Sequence, residues 1–168
     1  MDNALSIGIR GGECVVVAEG EIRAGECFAL GEVLPRYLDN ANAPTTVYLD
    51  LARCTYMDST FIGFIVGLAK RSGAGGVVIA NPSAAASEAL RKLSALSAIE
   101  IKPAITLPDV PTFRIARDTT AFGSIRNIEL VFDAHRTLAS LSEENRREFE
   151  SLLHELSRVI ESKRGAAS

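Results

Sequence analysis

Between Val47 and Arg71 (VYLDLARCTYMDSTFIGFIVGLAKR) a strand, a polar corner and a helix follow one another with no linker, which restricts the fold more than any other stretch. Val47, Tyr48 and Leu49 are a short apolar run rich in β-formers that ends at Asp50, which suits a strand covered on both faces. Phe61, Ile62, Phe64, Ile65, Leu68 and Ala69 then recur at helical spacing, predicting a helix over Ser59–Ser72 that Lys70, Arg71 and Gly73 close. The first turn of a helix carries unpaired N–H groups and a partial positive charge, so it can hold an anion. Ser59 is expected there with its hydroxyl exposed, on a site that would accommodate a phosphate. Two plainer roles compete with this one. Ser59 or Asp58 can serve simply as the helix N-cap, and Thr60 as an ordinary first-turn residue.

The flanking sequence reads as alternating strands and helices. Ser6–Arg10 and Glu13–Glu19 surround Gly11-Gly12, a hairpin signal because both turn positions need positive φ. Cys27, Leu30, Leu34 and Leu38 mark a helical face that Pro35 interrupts, predicting a kink or break, with Gly31 where the proline ring would clash. Val77–Ala80 and Ile99–Ile101 are strands, separated by a helix that Ser83 caps. An opening hairpin followed by this alternation indicates an α/β fold with a mixed sheet covered by helices. Beyond Lys102, Pro103, Pro108 and Pro111 predict a linker over about 103–120. Two helices follow as a C-terminal extension packed on the first domain, giving domains of 1–103 and 104–168. One shows Ile125, Ile128, Phe132, His135 and Leu138 on a face. The other, over Ser142–Lys163, is expected to dock through Phe149, Leu152, Leu156 and Val159, with Leu153 and Ile160 beside them.

Composition removes several classes of function. With 168 residues, 47% of them hydrophobic, the chain is long and apolar enough for a real core. A net charge of −3 offers no basic face for nucleic acid. Met1-Asp2-Asn3 lacks the pattern of a secretory signal, and the longest apolar run, Phe61–Ala69, is too short to span a bilayer. Cys14, Cys27 and Cys54 are scattered and odd in number, as reduced thiols in a cytoplasm would be. His135 and His154 have no Cys or carboxylate at ligand spacing, so neither a metal nor another cofactor is expected. Gly73-Ala74-Gly75-Gly76 precedes a strand and lacks a following Lys-Ser/Thr, which makes it a loop and not a phosphate cradle. Ser59 has no Gly-x-Ser-x-Gly elbow, so an enzyme is not expected.

The corner at Leu49-Asp50 and Met57-Asp58-Ser59, with Gly63 after it, resembles the STAS domain of bacterial anti-sigma-factor antagonists. Gly20-Glu21-Ile22 after a β-rich run, and Leu90-Arg91-Lys92-Leu93-Ser94-Ala95-Leu96, are similar to two further elements of that family. The resemblance covers about residues 5 to 103. It implies a STAS-like fold and a protein that acts by binding. Unphosphorylated, it would bind an anti-sigma factor or serine protein kinase. That partner, with ATP and magnesium, would phosphorylate Ser59 and so end the complex, and a phosphatase would reset it. The implied partner surface is Arg23, Asp58, Ser59, Thr60 and Phe61, on a monomer or weak homodimer. Two positions depart from the family's pattern: Arg23 stands where an Asp is usual, and Phe61 follows Thr60 where a Gly is common. A second outcome is a STAS module that is never phosphorylated and serves as a structural or binding subunit, for example of a transporter.

Overall fold

Gly11 and Gly12 adopt φ of +59° and +85°, backbone conformations that a side chain would strain. In the computed structural model, which describes residues 2–39, 43–117 and 122–168, they join β1 (Ala4–Arg10) to β2 (Glu13–Ile22) as an antiparallel hairpin with Ile7 opposite Val16. From β2 the chain winds in one direction through α1 (Ala24–Leu38), β3 (Thr46–Met57), α2 (Ser59–Ser72), β4 (Val77–Ala80), α3 (Ala84–Lys92) and β5 (Glu100–Lys102), each new strand parallel to the last. The sheet order is β5-β4-β3-β2-β1-β6. Right-handed crossovers wound in one direction set α1, α2 and α3 on the same face of the sheet.

Burial along β3 agrees with that arrangement and corrects an expectation. Val47, Leu49 and Leu51 are buried, whereas Tyr48 and Asp50 between them are half-buried and Ala52 is exposed. The strand is therefore packed on one face and open on the other. It is also longer than its apolar start suggests. β4 pairs with it only through Val47–Asp50, and the remaining residues run on beside β2 to Met57. That overhang carries the chain to the start of α2. In α1, the helix passes through Pro35 unbroken and ends with the Asp39 N–H donating to the Pro35 carbonyl at 3.0 Å. Pro35 has no N–H to give the Gly31 carbonyl four residues before, and Arg126 Nη2 donates to that carbonyl at 3.5 Å. Ser83 does cap α3, its Oγ accepting from the Ala86 N–H at 3.0 Å.

The Pro-containing segment crosses from one sheet edge to the other. Ile105 N–H donates to Asn81 Oδ1, the Pro111 backbone passes over Gly8, and β6 (Phe113–Arg114) pairs antiparallel with β1. A two-residue exposed strand has no alternation to announce it, so a plain linker was all that the sequence suggested over 103–120. Residues 118–120 of that span lie outside the described residues.

α4 (Ile125–Ala139) and α5 (Glu143–Ala166) form an antiparallel hairpin, and α4 lies across α1 and α2 as a third layer. The crossing is unusually close because α2 and α1 each offer a glycine to it. A Cβ on Gly63 would stand 2.3 Å from the Ala134 carbonyl oxygen, and one on Gly31 would stand 2.8 Å from Leu130 Cδ1. The face that α4 buries is Asn127, Ala134, His135 and Leu138, with Ile125, Ile128 and Phe132 only partly covered. Gly63 selects the small residue: the helix rotates to place Ala134 there, away from the bulkier stripe that its apolar spacing suggests. In α5 the docked seam is Asn145, Phe149, Leu153, Leu156 and Ile160. Leu152 and Val159, expected in the seam, are 38% and 40% exposed, because at 100° per residue they fall on its flank. Asn145 fastens the turn, its amide donating to the carbonyls of Leu93 at 2.8 Å and Leu138 at 2.9 Å. At the other end Arg164 pairs with Glu129.

Gly63→Ala should lower the melting temperature by roughly 3–10 °C, since overpacking a close contact costs about 1–3 kcal/mol. Gly165, with nothing within 4 Å of its Cβ position, is the control. Gly165→Ala should leave the thermal midpoint unchanged or slightly higher. Equal midpoints for Gly63→Ala and wild type would show that the α2–α4 contact is looser than described.

Candidate functional site

The corner between β3 and α2 is built from the end of β2. Gly20 adopts φ of +72°, and a Cβ there would meet Asn3 Oδ1 at 2.6 Å. The β2–β3 register slips at this point, between Gly20 and Glu21. Asn3 Oδ1 accepts from the Glu21 N–H at 2.9 Å, and one residue on the Ile22 carbonyl accepts from the Asp58 N–H at 3.1 Å. A bulge that bends β2 thus sets the position of the corner.

Asp58 is the N-cap of α2, and its two oxygens serve two helices. Oδ1 accepts from the Phe61 N–H at 2.9 Å, while Oδ2 accepts from the N–H of Ala24, the first residue of α1, at 2.8 Å. Burial raises its carboxyl above the ordinary 3.8, against the pull of the two amide donors and of nearby His135 and Arg23. Of the two candidate caps, Ser59 and Asp58, the geometry assigns Asp58.

Ser59 is accordingly the first residue within α2, not its cap. It is half-buried, and its hydroxyl is engaged by a side chain of α4. Ser59 Oγ lies 2.8 Å from His135 Nε2 on α4. His135 Nδ1 lies 2.7 Å from the Val131 carbonyl oxygen. A carbonyl only accepts, so Nδ1 carries a proton; in the neutral ring Nε2 then presents its lone pair to the Ser59 hydroxyl, which donates. His135 is 3% exposed, and the ring of Phe149 from α5 stands edge-on to it, 4.9 Å between centroids. The histidine face that the sequence suggests for α4 is here a polar contact to the predicted phosphoacceptor. Its signal was a histidine on an apolar helical face, which needs a polar partner when buried. No pattern in the sequence says that the partner is 76 residues away.

The other residues of the expected surface divide. Phe61 is fully buried and Thr60 nearly so, so both support the start of α2 from the core side. Arg23 is half-exposed, holds Glu21 Oε2 at 2.8 Å and lies 4.5 Å over the Tyr56 ring. Its pKa is raised, chiefly by that hydrogen bond. Beside the corner opens a cleft of about 710 Å³. Its walls include Asp58, Ser59 and Ile62, then Glu88 and Lys92 of α3, and Glu144, Glu148 and Phe149 of α5. All three cysteines are buried free thiols, and burial pushes Cys14 up to about 12 and Cys54 to about 11. Among the described residues no His, Cys, Asp and Glu cluster could hold a metal ion, and no helix is long and apolar enough to cross a membrane.

A family model described as STAS domain matches residues 5–106, more than half of the 168 residues. In fold the chain is similar to the anti-sigma factor antagonist SpoIIAA, solved in its unphosphorylated form, with a TM-score of 0.50 and 20% identity over 61% of this chain and 90% of that one. At that identity the likeness concerns the fold. No curated protein matches the sequence. The matched span contains Asp58 and Ser59, while His135 and Phe149 come from beyond it.

Asp58→Asn should cost about 1 kcal/mol, or about 2–4 °C of melting temperature at neutral pH, because an amide keeps one acceptor where two were in use. The pH dependence follows from the raised carboxyl. In the unfolded chain the group ionises near 3.8; between that and its higher folded value the native protein holds the extra proton. Wild-type stability relative to Asp58→Asn should therefore fall as pH rises through this interval and stay flat above it. Denaturant titrations of both proteins across pH 3.5–7 read the difference, and a difference rising with pH would contradict the direction of the shift.

Proposed function

The chain belongs to the STAS domain family, and on that premise we propose that it is a partner-switching regulator of the anti-sigma-factor-antagonist kind, acting by binding and not by catalysis. Unphosphorylated, it binds an anti-sigma factor or related serine protein kinase across the corner at Asp58 and Ser59, with Arg23 beside it. The partner, with ATP and magnesium, transfers phosphate to Ser59, and a phosphatase resets the switch. Thr60 and Phe61, named with these residues from the sequence, act in this scheme by holding the corner in shape.

The observation that carries the reading is a serine in the first turn of a helix, at the edge of an open cleft, on the fold of a solved anti-sigma factor antagonist. A phosphate there would meet the Asp58 carboxylate and the cleft residues Glu88, Glu144 and Glu148, with Arg23 and His135 near the corner and Lys92, the cation of the cleft lining, paired to Glu88. Adding up to two negative charges to such a surface repels an acidic or apolar partner and desolvates poorly, which is how phosphorylation would end the complex. In this scheme residues 1–103 are the binding domain and 104–168 an extension packed on it, in a cytoplasmic monomer or weak homodimer. A structural or binding subunit without phosphorylation is the second reading. What favours it is that the Ser59 hydroxyl is already engaged by His135.

The experiment is capture of partners on the immobilised unphosphorylated protein, followed by ATP and magnesium and mapping of the phosphate by mass spectrometry. Phosphate on Ser59, with release of the partner, is the expected result. Labelling elsewhere, or equal labelling of Ser59→Ala, defeats the switch and leaves the structural-subunit reading.

A further inference from the structure

We propose that the α4–α5 hairpin is an autoinhibitory latch over Ser59, closed by the Ser59–His135 hydrogen bond and released by negative charge at Ser59. It rests on the reading that Ser59 takes phosphate, and adds how this chain controls access to it.

Three observations carry it. The Ser59 hydroxyl proton, which a kinase must reach and remove, is held by His135 Nε2 at 2.8 Å, on a ring that is itself buried and fixed at Nδ1 by the Val131 carbonyl. The same hairpin forms a wall of the cleft beside Asp58 and Ser59, through Glu144, Glu148 and Phe149. A partner seated on that corner therefore competes with α5 for space. Finally, the contacts that bring the hairpin there are specific: Gly63 against Ala134, and Asn145 bridging the ends of α3 and α4.

Phosphorylation removes the hydroxyl proton, so the ester oxygen has nothing to donate to Nε2. The added phosphate then lies among Asp58, Glu88, Glu144 and Glu148, and the repulsion falls on α5, which supplies two of those carboxylates. The latch opens, and the surface of α2 that α4 covers, around Gly63 and Phe64, becomes accessible. By linkage, whatever opens the latch makes Ser59 easier to phosphorylate.

Backbone hydrogen exchange on the full-length wild type, Ser59→Asp and His135→Phe tests this without a kinase. Phe keeps a ring against Phe149 while removing the acceptor. In both variants, amides of 125–166 should exchange about tenfold faster, the size expected for losing one such bond, while β1, β2 and β3 keep their protection. If His135→Phe also loosens the sheet, Ser59→Asp alone decides. Unchanged protection of the hairpin in Ser59→Asp overturns the latch. With a captured kinase, His135→Phe should be labelled several-fold faster than wild type. Slower labelling would show that His135 assists by taking the serine proton, and overturns the latch as well. Should the hairpin loosen in Ser59→Asp while no kinase labels Ser59, the latch stands and the phosphorylation reading falls.

Discussion

Two helices in this fold begin at one carboxylate. The N-termini of α1 and α2 converge because β2 and β3 are adjacent and parallel, and each helix leaves the same end of the sheet. Convergent N-termini repel through their partial positive charges and leave unpaired amides facing one another. Asp58 answers both problems, with one oxygen on Ala24 and the other on Phe61. Its own backbone N–H is held by Ile22 at the end of β2. Everything near the site inherits its position from this corner: Ser59 is next in the chain, Arg23 immediately precedes Ala24, and Tyr56 lies two residues upstream under the Arg23 guanidinium.

The third layer depends on a different constraint, the absence of side chains on α2. Helices with ordinary residues at the crossing pack 8–10 Å apart. At Gly63 there is room only for backbone against backbone, since even a methyl carbon would stand 2.3 Å from the Ala134 carbonyl oxygen, well inside van der Waals contact. That closeness is what lets a histidine one residue further along α4 reach a serine four residues earlier on α2. The glycine sits inside the span that matches the family, whereas the helix using it lies outside. The STAS domain and its extension are thus joined by a contact for which the domain supplies the space and the extension the chemistry.

The strand–corner–helix at Val47–Arg71, the Gly11-Gly12 hairpin and the Ser83 cap were legible because each is a local event: periodicity, a φ requirement, a side chain reaching its own backbone. Asp58 and Ser59 were both candidate caps, and the bond from the other Asp58 oxygen to a second helix had no local signal. What could not be read was rotation. Whether α4 buries Phe132 or Ala134, and whether α5 docks through Leu152 or Leu153, depends on the relief of the surface opposite. The nearest neighbour in each case is remote in sequence. The Ser59–His135 bond belongs to the same class. The apolar stripe of α4 was visible, and so was the histidine on it, but a stripe has no azimuth until something is packed against it.

The passage of residues 103–114 from β5 to the far side of β1 has a consequence for how copies of this chain can meet. An open sheet offers unpaired N–H and C=O groups at its outer strands, and a long bare edge invites another chain to add itself there. Here one margin is β5, three residues with Glu100 and Lys102 at its ends. The other would have been seven-residue β1, but β6 pairs with Ser6 and Ile7, the Ile115 N–H takes the Leu5 carbonyl, and the Pro111 backbone lies against Gly8. At these two margins the stretch left for an incoming strand is therefore shorter than most strands that hold a sheet together. The segment that delivers the helical hairpin thus also covers the β1 margin, and a strand that would have stood bare becomes an interior one where β6 pairs with it.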